Sequence, residues 1–386
     1  MNLFWFKRII PDPKFLKRVL IISPFGLGDA LFITPLIRSL KESGVEQIDL
    51  LLGSRTRELF EHNPHVNQIF EWSKYPILDT SQKWNYLKQL GTLLFQLWQN
   101  RYQAMFDFTP KAKYALLSWL ILWIPVRIGF SFEGRGVSLT HKFKLLDGYT
   151  KKSVVEYYLD LLNFLGIQPT AKQLELFLKE EDFRDCGAIL NNHGLDCDQS
   201  YLVVVPGGGE SWGRDARLKR WPVEYFGKLI RSLHQSYSST FEKVLILGGQ
   251  NEHFLGTALL QELGGVPAHN LCGSISIRVA AALIQKASFL LANDGGLVHI
   301  AHAVGTPVVA LYGPVDPVVY GPYPTGSRAL TIASIGPACR PCYQRFRYQA
   351  SCTGVECLTR LTPDQVLDQI RSARFLEQLS TAHASR

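Results

Sequence analysis

Apolar positions along the chain switch between two periods. Arg18-Val-Leu-Ile-Ile-Ser23 is a continuous apolar run with β-branched residues, which suits a strand buried on both faces of a parallel sheet. It leads into Pro24-Phe-Gly-Leu-Gly-Asp29. Leu31, Pro35, Leu36 and Leu40 then mark one face of a helix that Gly44 stops, and Ile48–Leu52 returns to strand, so the chain opens as a βαβ unit. Further strands are expected at Gln68–Glu71, Ala104–Phe108 and Arg127–Phe130. Helices are expected around Gln82–Asn100, Lys113–Trp123 and Val154–Leu165. The pattern weakens between Gly166 and Ser200, which marks a domain boundary. Alternation then restarts, with strands at Tyr201–Val205, Lys243–Leu247, Ser288–Ala292 and Pro307–Leu311. The accompanying helices are Pro222–Leu233, Glu252–Leu263, Ile277–Lys286, Leu297–Val304 and Pro363–Leu379. Two such sets imply an α/β chain of two Rossmann-like domains, their parallel sheets facing a central cleft. The expected division is 1–180, 181–360, and a C-terminal helix at 361–386 packing back toward the N-terminal domain.

Composition narrows the class. The 386 residues are 46% hydrophobic and 19% charged, a globular mix rather than a disordered one. The net charge of +8 is lopsided: residues 1–180 carry 23 Lys+Arg against 16 Asp+Glu, and the remainder is nearly neutral. The basic half therefore attracts anions, whether nucleic acid, an anionic membrane face or an acidic substrate. No run approaches the roughly 18 apolar residues of a membrane-spanning helix. The longest, Ala115–Val126, contains Pro125, and its Trp119/Trp123 helix reads as core rather than membrane contact. The N-terminus lacks a secretory cleavage pattern. Its Phe4, Trp5, Phe6, Ile9 and Ile10 beside Lys7 and Arg8 suit a membrane-touching segment or an arm packed on the body. Without an export signal, the seven cysteines are expected as free thiols in a reducing compartment. Cys339-x2-Cys342-x9-Cys352-x4-Cys357 is compatible with zinc; reduced thiols and a facultative disulfide are the alternatives.

Ligands of open parallel sheets bind beyond the carboxyl ends of the strands, so the strand-to-helix turns hold the candidate chemistry. Gly26-Leu-Gly28-Asp29 is an incomplete dinucleotide fingerprint, because Leu31 stands at the third glycine position. Asp29 at the helix start is either an ordinary cap or a general base. In the second half, Pro206-Gly207-Gly208-Gly209 exposes backbone amides, and Lys219 and Arg220 stand just ahead of a helix opening at Pro222. Asn293-Asp294-Gly295-Gly296-Leu297-Val298-His299 repeats the arrangement, although His299 alone reads as a structural histidine. Together the two turns suit a diphosphate. No basic recognition helix or aromatic–basic motif appears, which removes nucleic acid from the partner classes.

These residues carry a resemblance. Arg18–Lys41, Pro206-Gly-Gly with Lys219-Arg-Trp-Pro222, Leu271-Cys-Gly-Ser-Ile-Ser276 and Ala292–Pro314 occur in order. The chain thereby resembles glycosyltransferase family 9, the ADP-heptose:lipopolysaccharide heptosyltransferases, over roughly residues 18–375.

The resemblance implies a GT-B fold, with the acceptor on the N-terminal domain and the nucleotide sugar on the C-terminal one. It implies an inverting transfer of heptose or a related sugar from an ADP-sugar to an anionic, lipid-linked inner-core glycan, at the cytoplasmic face of the inner membrane. Asp29 matches the general base. The donor site it implies comprises Gly207, Gly208, Lys219, Glu252 as a ribose contact, Ile275 against the base, and Asp294, Gly295, Gly296, Leu297 and His299 as the diphosphate cradle. Gly28, Lys111, Lys113 and Arg135 are the acceptor-side candidates. No cofactor is expected to be required, and a divalent cation at most stimulates. The family usually carries Ser or Thr where this chain has Gly295. Another nucleotide sugar, or a sugar-nucleotide-binding homologue without catalysis, are the alternatives.

Overall fold

The computed structural model describes residues 16–72, 80–109, 112–194, 199–326, 328–348, 352 and 354–383. Packing divides the chain into two compact units, one ending at Gln173 and the next beginning at Leu174, a few residues before the expected boundary.

Unit 1 contains a parallel six-stranded sheet of β1 (Arg18–Ser23), β2 (Gln47–Leu52), β3 (Gln68–Glu71), β4 (Ala104–Asp107), β5 (Val126–Ser131) and β6 (His141–Lys144), ordered β3-β2-β1-β4-β5-β6. The apolar runs predicted as doubly buried strands are just that: Val19 to Ile22 are buried throughout. Helices α1 (Leu27–Leu31), α2 (Thr34–Glu42), α3 (Thr80–Gln99), α4 (Ala112–Leu120) and α5 (Val154–Asp160) accompany the sheet. Leu97 of α3 and Tyr114 of α4 share one buried cluster with Leu20, Ile22 and Met105, so both helices cover the same face of the sheet. The core reading of the Trp119/Trp123 helix fails at those two side chains. Tyr114, Ala115 and Ser118 are the inward positions, while Trp119 is 51% and Trp123 69% exposed.

Unit 2 repeats the plan with β7 (Tyr201–Val205), β8 (Lys243–Ile246), β9 (Ala268–Asn270), β10 (Phe289–Asn293), β11 (Val308–Tyr312) and β12 (Ala329–Ala333), ordered β12-β11-β10-β7-β8-β9 and all parallel. Its helices are α6 (Glu180–Asn192), α7 (Val223–Ser236), α8 (His253–Glu262), α9 (Ile277–Lys286), α10 (Gly296–Ala303), α11 (Pro317–Tyr320), α12 (Glu356–Thr359), α13 (Pro363–Ser372) and α14 (Phe375–His383). A small hairpin, β13 (Tyr343–Gln344) with β14 (Arg347–Tyr348), follows the sheet.

The charged residues Lys179–Asp185 open α6, where Asp182 accepts the Lys179 N–H at 2.8 Å and meets Arg278 of α9 at 2.7 Å. One expectation is corrected here. The C-terminal segment packs on unit 2. Val366, Ile370, Phe375, Leu376 and Leu379 join the same buried cluster as α7, and the Trp221 indole donates to the Leu361 carbonyl at 2.7 Å. Their apolar faces are thus already covered within unit 2.

Candidate active site

The strand order of each sheet reverses once. In unit 2 the reversal falls between β7 and β10, which are paired with Val205 opposite Ala292. Both glycine turns of this half begin at the carboxyl ends of these two strands, the position where open α/β sheets hold ligands. The Asn293 side chain ties the turns together. Its amide nitrogen donates to the Pro206 carbonyl at 2.8 Å and its oxygen accepts the Trp221 N–H at 3.1 Å. Asn293 was quoted in the motif but given no role; a polar residue ending a fully apolar strand was the available signal.

Glu252 and the Ala216 carbonyl leave no room for side chains at the first two glycines after β7. The Glu252 Oε1 accepts the N–H groups of Gly208 and Gly209, both at 3.0 Å, and its Oε2 accepts that of Gly249 at 3.1 Å. A Cβ on Gly207 would stand 2.1 Å from Oε1, and one on Gly208 would stand 2.2 Å from the Ala216 carbonyl oxygen. The Gly208 amide, assigned by sequence to the diphosphate, therefore faces a carboxylate of the protein itself. Glu252 organises the glycine turn from a buried position.

Lys219 closes the 3-10 segment Glu210–Lys219, and its ammonium lies 2.6 Å from the Asp294 carboxylate with both side chains about 5% exposed. Asp294 does not cap its own helix: the cap position of α10 is Gly295, and the aspartate is an ion-pair partner. The first-turn amides of α10, from Gly296 and Leu297, have no intrahelical acceptor by helix geometry, an arrangement suited to an anion. His299, one turn on, is buried; desolvation first, then the charges of His302 and Lys219, push its pKa down to about 3. It is a neutral imidazole near pH 7 and supplies no charge to a phosphate. Tyr312 and Tyr348 are raised by burial and then by the Asp294 charge, which places hairpin residue Tyr348 in the same neighbourhood. Nothing in the sequence pattern pointed to Tyr348. Ile275 is half-buried in the turn before α9, whose N-terminus Ser276 caps through the Val279 N–H at 3.2 Å.

Gly295 has an extended backbone (φ 179°) that any residue adopts, and a Cβ there would approach nothing closer than the Asn293 carbonyl oxygen at 3.7 Å. The missing hydroxyl therefore reflects no steric need. Gly295→Thr is expected to keep the thermal midpoint and to tighten ADP binding by roughly tenfold, the value of one added charge-assisted hydrogen bond. Calorimetric titration with ADP checks it.

The segment with the cysteine spacing hangs on the turn after β11. Arg340 donates to the Gly313 carbonyl at 2.6 Å, and the Cys342 and Tyr343 N–H groups donate to the Pro314 carbonyl. Cys342 and Cys357 are buried. Desolvation and then the neighbouring thiols raise both, Cys357 to about 11, which disfavours thiolates. Cys339, Cys342, Cys352 and Cys357 are free, and among the described residues no cluster suited to holding a metal ion forms.

In unit 1 the reversal lies between β1 and β4, with Ile22 opposite Asp107. Asp29 sits in the first turn of α1 directly after β1, half-buried, beside Gly28. Lys113 lies in the first turn of α4 and holds its ammonium 4.6 Å from the Tyr114 ring centroid, while Arg135 lies exposed in the turn after β5. Lys111 lies outside the described residues. Asp107 was overlooked: a lone acid ending a buried strand was its signal. It accepts the Thr109 N–H at 2.9 Å, and burial pushes its pKa up to about 7. Because the folded state holds this proton longer than the unfolded chain, stability should fall as pH rises from about 4 to about 7 and level off above. Asp107→Asn is expected to abolish that slope and to gain on the order of 1–2 kcal/mol at pH 8, net of a weakened acceptor. Urea titrations at pH 5 and pH 8 measure both.

Two Rossmann-like units, each built on a parallel six-stranded sheet, are the GT-B architecture. The profile of Glycosyltransferase family 9 (heptosyltransferase) matches residues 91–350, and the chain belongs to that family. It is 25% identical over 375 residues to lipopolysaccharide heptosyltransferase 2 of Escherichia coli (strain K12), covering 94% of this chain and 99% of that one. Its fold matches E. coli ADP-heptose lps heptosyltransferase II with a TM-score of 0.70 at 23% identity, over 94% of this chain and 99% of the other. It also matches E. coli heptosyltransferase WaaC with ADP-2-deoxy-2-fluoro heptose, with a TM-score of 0.62 at 19% identity, over 92% and 99%.

Proposed function

We propose that this transferase moves a heptose or closely related sugar from an ADP-sugar to an anionic, lipid-linked inner-core acceptor of lipopolysaccharide. The observation that carries the donor half is the junction of β7 and β10, where the N-terminus of α10 adjoins a buried Lys219–Asp294 pair. Backbone amides and an ammonium suit a diphosphate leaving group. Support for the sugar nucleotide comes from the WaaC relative, whose structure was determined with an ADP-heptose analogue.

Transfer then proceeds by inversion. The acceptor oxygen attacks the anomeric carbon, the bond from that carbon to the diphosphate oxygen breaks, ADP leaves with the electron pair, and the hydroxyl proton passes to Asp29. Asp29 lies in the first turn of α1, directly after the carboxyl end of β1. Lys113 and Arg135 stand at the carboxyl end of the same sheet as candidates for acceptor phosphates and carboxylates, with Lys111 beside them in sequence. The reading places the work at the cytoplasmic face of the inner membrane.

Incubating the full chain with ADP-heptose and Kdo-lipid A, with and without EDTA, tests it. A heptose mass increment and released ADP in both arms are expected. ADP-heptose binding with no product would replace catalysis by a binding role, and no binding would remove the donor assignment.

A further inference from the structure

Helix α3 carries two apolar stripes where a surface helix needs one. Leu93 and Leu97 face the sheet. Trp84, Leu87 and Phe95 recur at helical spacing on the other side, exposed by 73%, 55% and 55%. Neighbouring α4 repeats the anomaly, since Trp119, Leu120 and then Trp123 point away from the core that Tyr114 and Leu122 join. Aromatic and aliphatic side chains concentrated this way on one face mark an interaction surface.

The charges choose its occupant. Residues 80–132 contain six Lys and Arg (Lys83, Lys88, Arg101, Lys111, Lys113, Arg127) and a single acid, Asp107, which is buried in β4. The flanking Glu71 is held by Arg57 at 3.1 Å. Arg101 lies 3.9 Å from the ring centroid of half-buried Trp98, and half-buried Arg127, which donates to the Ser138 and Ile124 carbonyls, lies 5.9 Å from that of exposed Trp119. Exposed tryptophans interleaved with cations, with no exposed carboxylate among the described residues from 80 to 132 and Glu133 next along the chain, match the headgroup region of an anionic bilayer, where indoles settle at the interface and basic residues meet lipid phosphate. A protein partner of ordinary mixed charge would call for carboxylates among these cations.

The geometry points to the α3–α4 face of unit 1 as the surface on which this protein rests on an anionic phospholipid bilayer. The inference deepens the lipid-linked acceptor reading and rests on it for its purpose. Its test uses neither donor nor acceptor, so the two can fail separately.

The full chain is sedimented with extruded vesicles of phosphatidylcholine alone or with 30% phosphatidylglycerol added. Binding is expected to the anionic vesicles, at least tenfold above the neutral ones and declining with salt. Trp84→Ser/Trp119→Ser/Trp123→Ser should lower binding about tenfold or more with an unchanged thermal midpoint, since all three side chains are exposed. Lys88→Glu, which leaves the tryptophans in place, should lower binding to anionic vesicles by about fivefold and leave neutral vesicles unaffected. Equal binding to both vesicle types, or equal binding by the wild type and both variants, overturns the assignment. A concentration-dependent dimer that the triple variant abolishes, with no vesicle binding, overturns it in favour of a second copy covering the face.

Discussion

Replacing Asp29 by Asn is expected to lower the turnover number by roughly 10²–10⁴-fold, the usual contribution of a positioned general base, while ADP binding stays within about twofold. The substitution is nearly isosteric, and α1 should survive it: its cap residue is Gly26, and its first hydrogen bond runs from the Ala30 N–H to the Gly26 carbonyl at 3.0 Å. What changes is the ability to take a proton from an acceptor hydroxyl at the carboxyl end of β1. An uncharged amide neither removes that proton nor stabilises the developing positive charge on the sugar ring. The effect should fall on turnover rather than on the Michaelis constant for the donor, because the turns proposed for the donor belong to unit 2 and Asp29 to unit 1. Steady-state kinetics with ADP-heptose and Kdo-lipid A, paired with calorimetry on ADP, separates the two quantities. Turnover within twofold of the wild type would remove Asp29 from the chemistry. Asp107, also a carboxylate beside the β1–β4 junction and held near pKa 7 by burial, would then be the next candidate.

Much of this arrangement is legible in sequence because the strands are buried on both faces. A run such as Leu202-Val-Val-Val205 has one reading at its length, and the glycines and polar residues that follow it stand at a carboxyl end whichever way the sheet is ordered. Two strands at the sheet margins escape that logic, although β3, also at a margin, does not. His141-Lys-Phe-Lys144 in β6 and Ala268-His-Asn270 in β9 are short and polar, held mainly by pairing to β5 and β8. Residue types also predict ligand turns better than they predict which atoms meet. Glu252 has the right type and the right turn for a donor contact, yet its three accepted amides make it a brace for the glycines. Asp294 pairs across 75 residues of sequence with Lys219, a contact no local pattern encodes. On α4 the error ran the other way, because apolar composition alone does not say which face of a helix has a partner.

Removing one member of the Lys219–Asp294 pair should destabilise the protein by about 3–5 kcal/mol, since either change strands a buried charge. Lys219→Met leaves the Asp294 carboxylate among Tyr312, Tyr348 and the α10 turn, and Asp294→Leu takes the carboxylate away from a buried ammonium that the helix dipole opposes. Combining Lys219→Met with Asp294→Leu removes both charges together. The double variant should therefore recover much of the loss, giving a coupling of at least about 2 kcal/mol in a urea-denaturation cycle. Additive single effects would mean that the two groups do not depend on one another. Ligand binding then divides structure from function. If Lys219 serves only to neutralise Asp294, the double variant regains ADP affinity along with its stability. If the ammonium also meets the donor diphosphate, ADP affinity stays low by a hundredfold or so even where the fold is restored, because no amide of α10 replaces a full charge. The donor assignment requires the second outcome, and calorimetry on the refolded double variant decides between them.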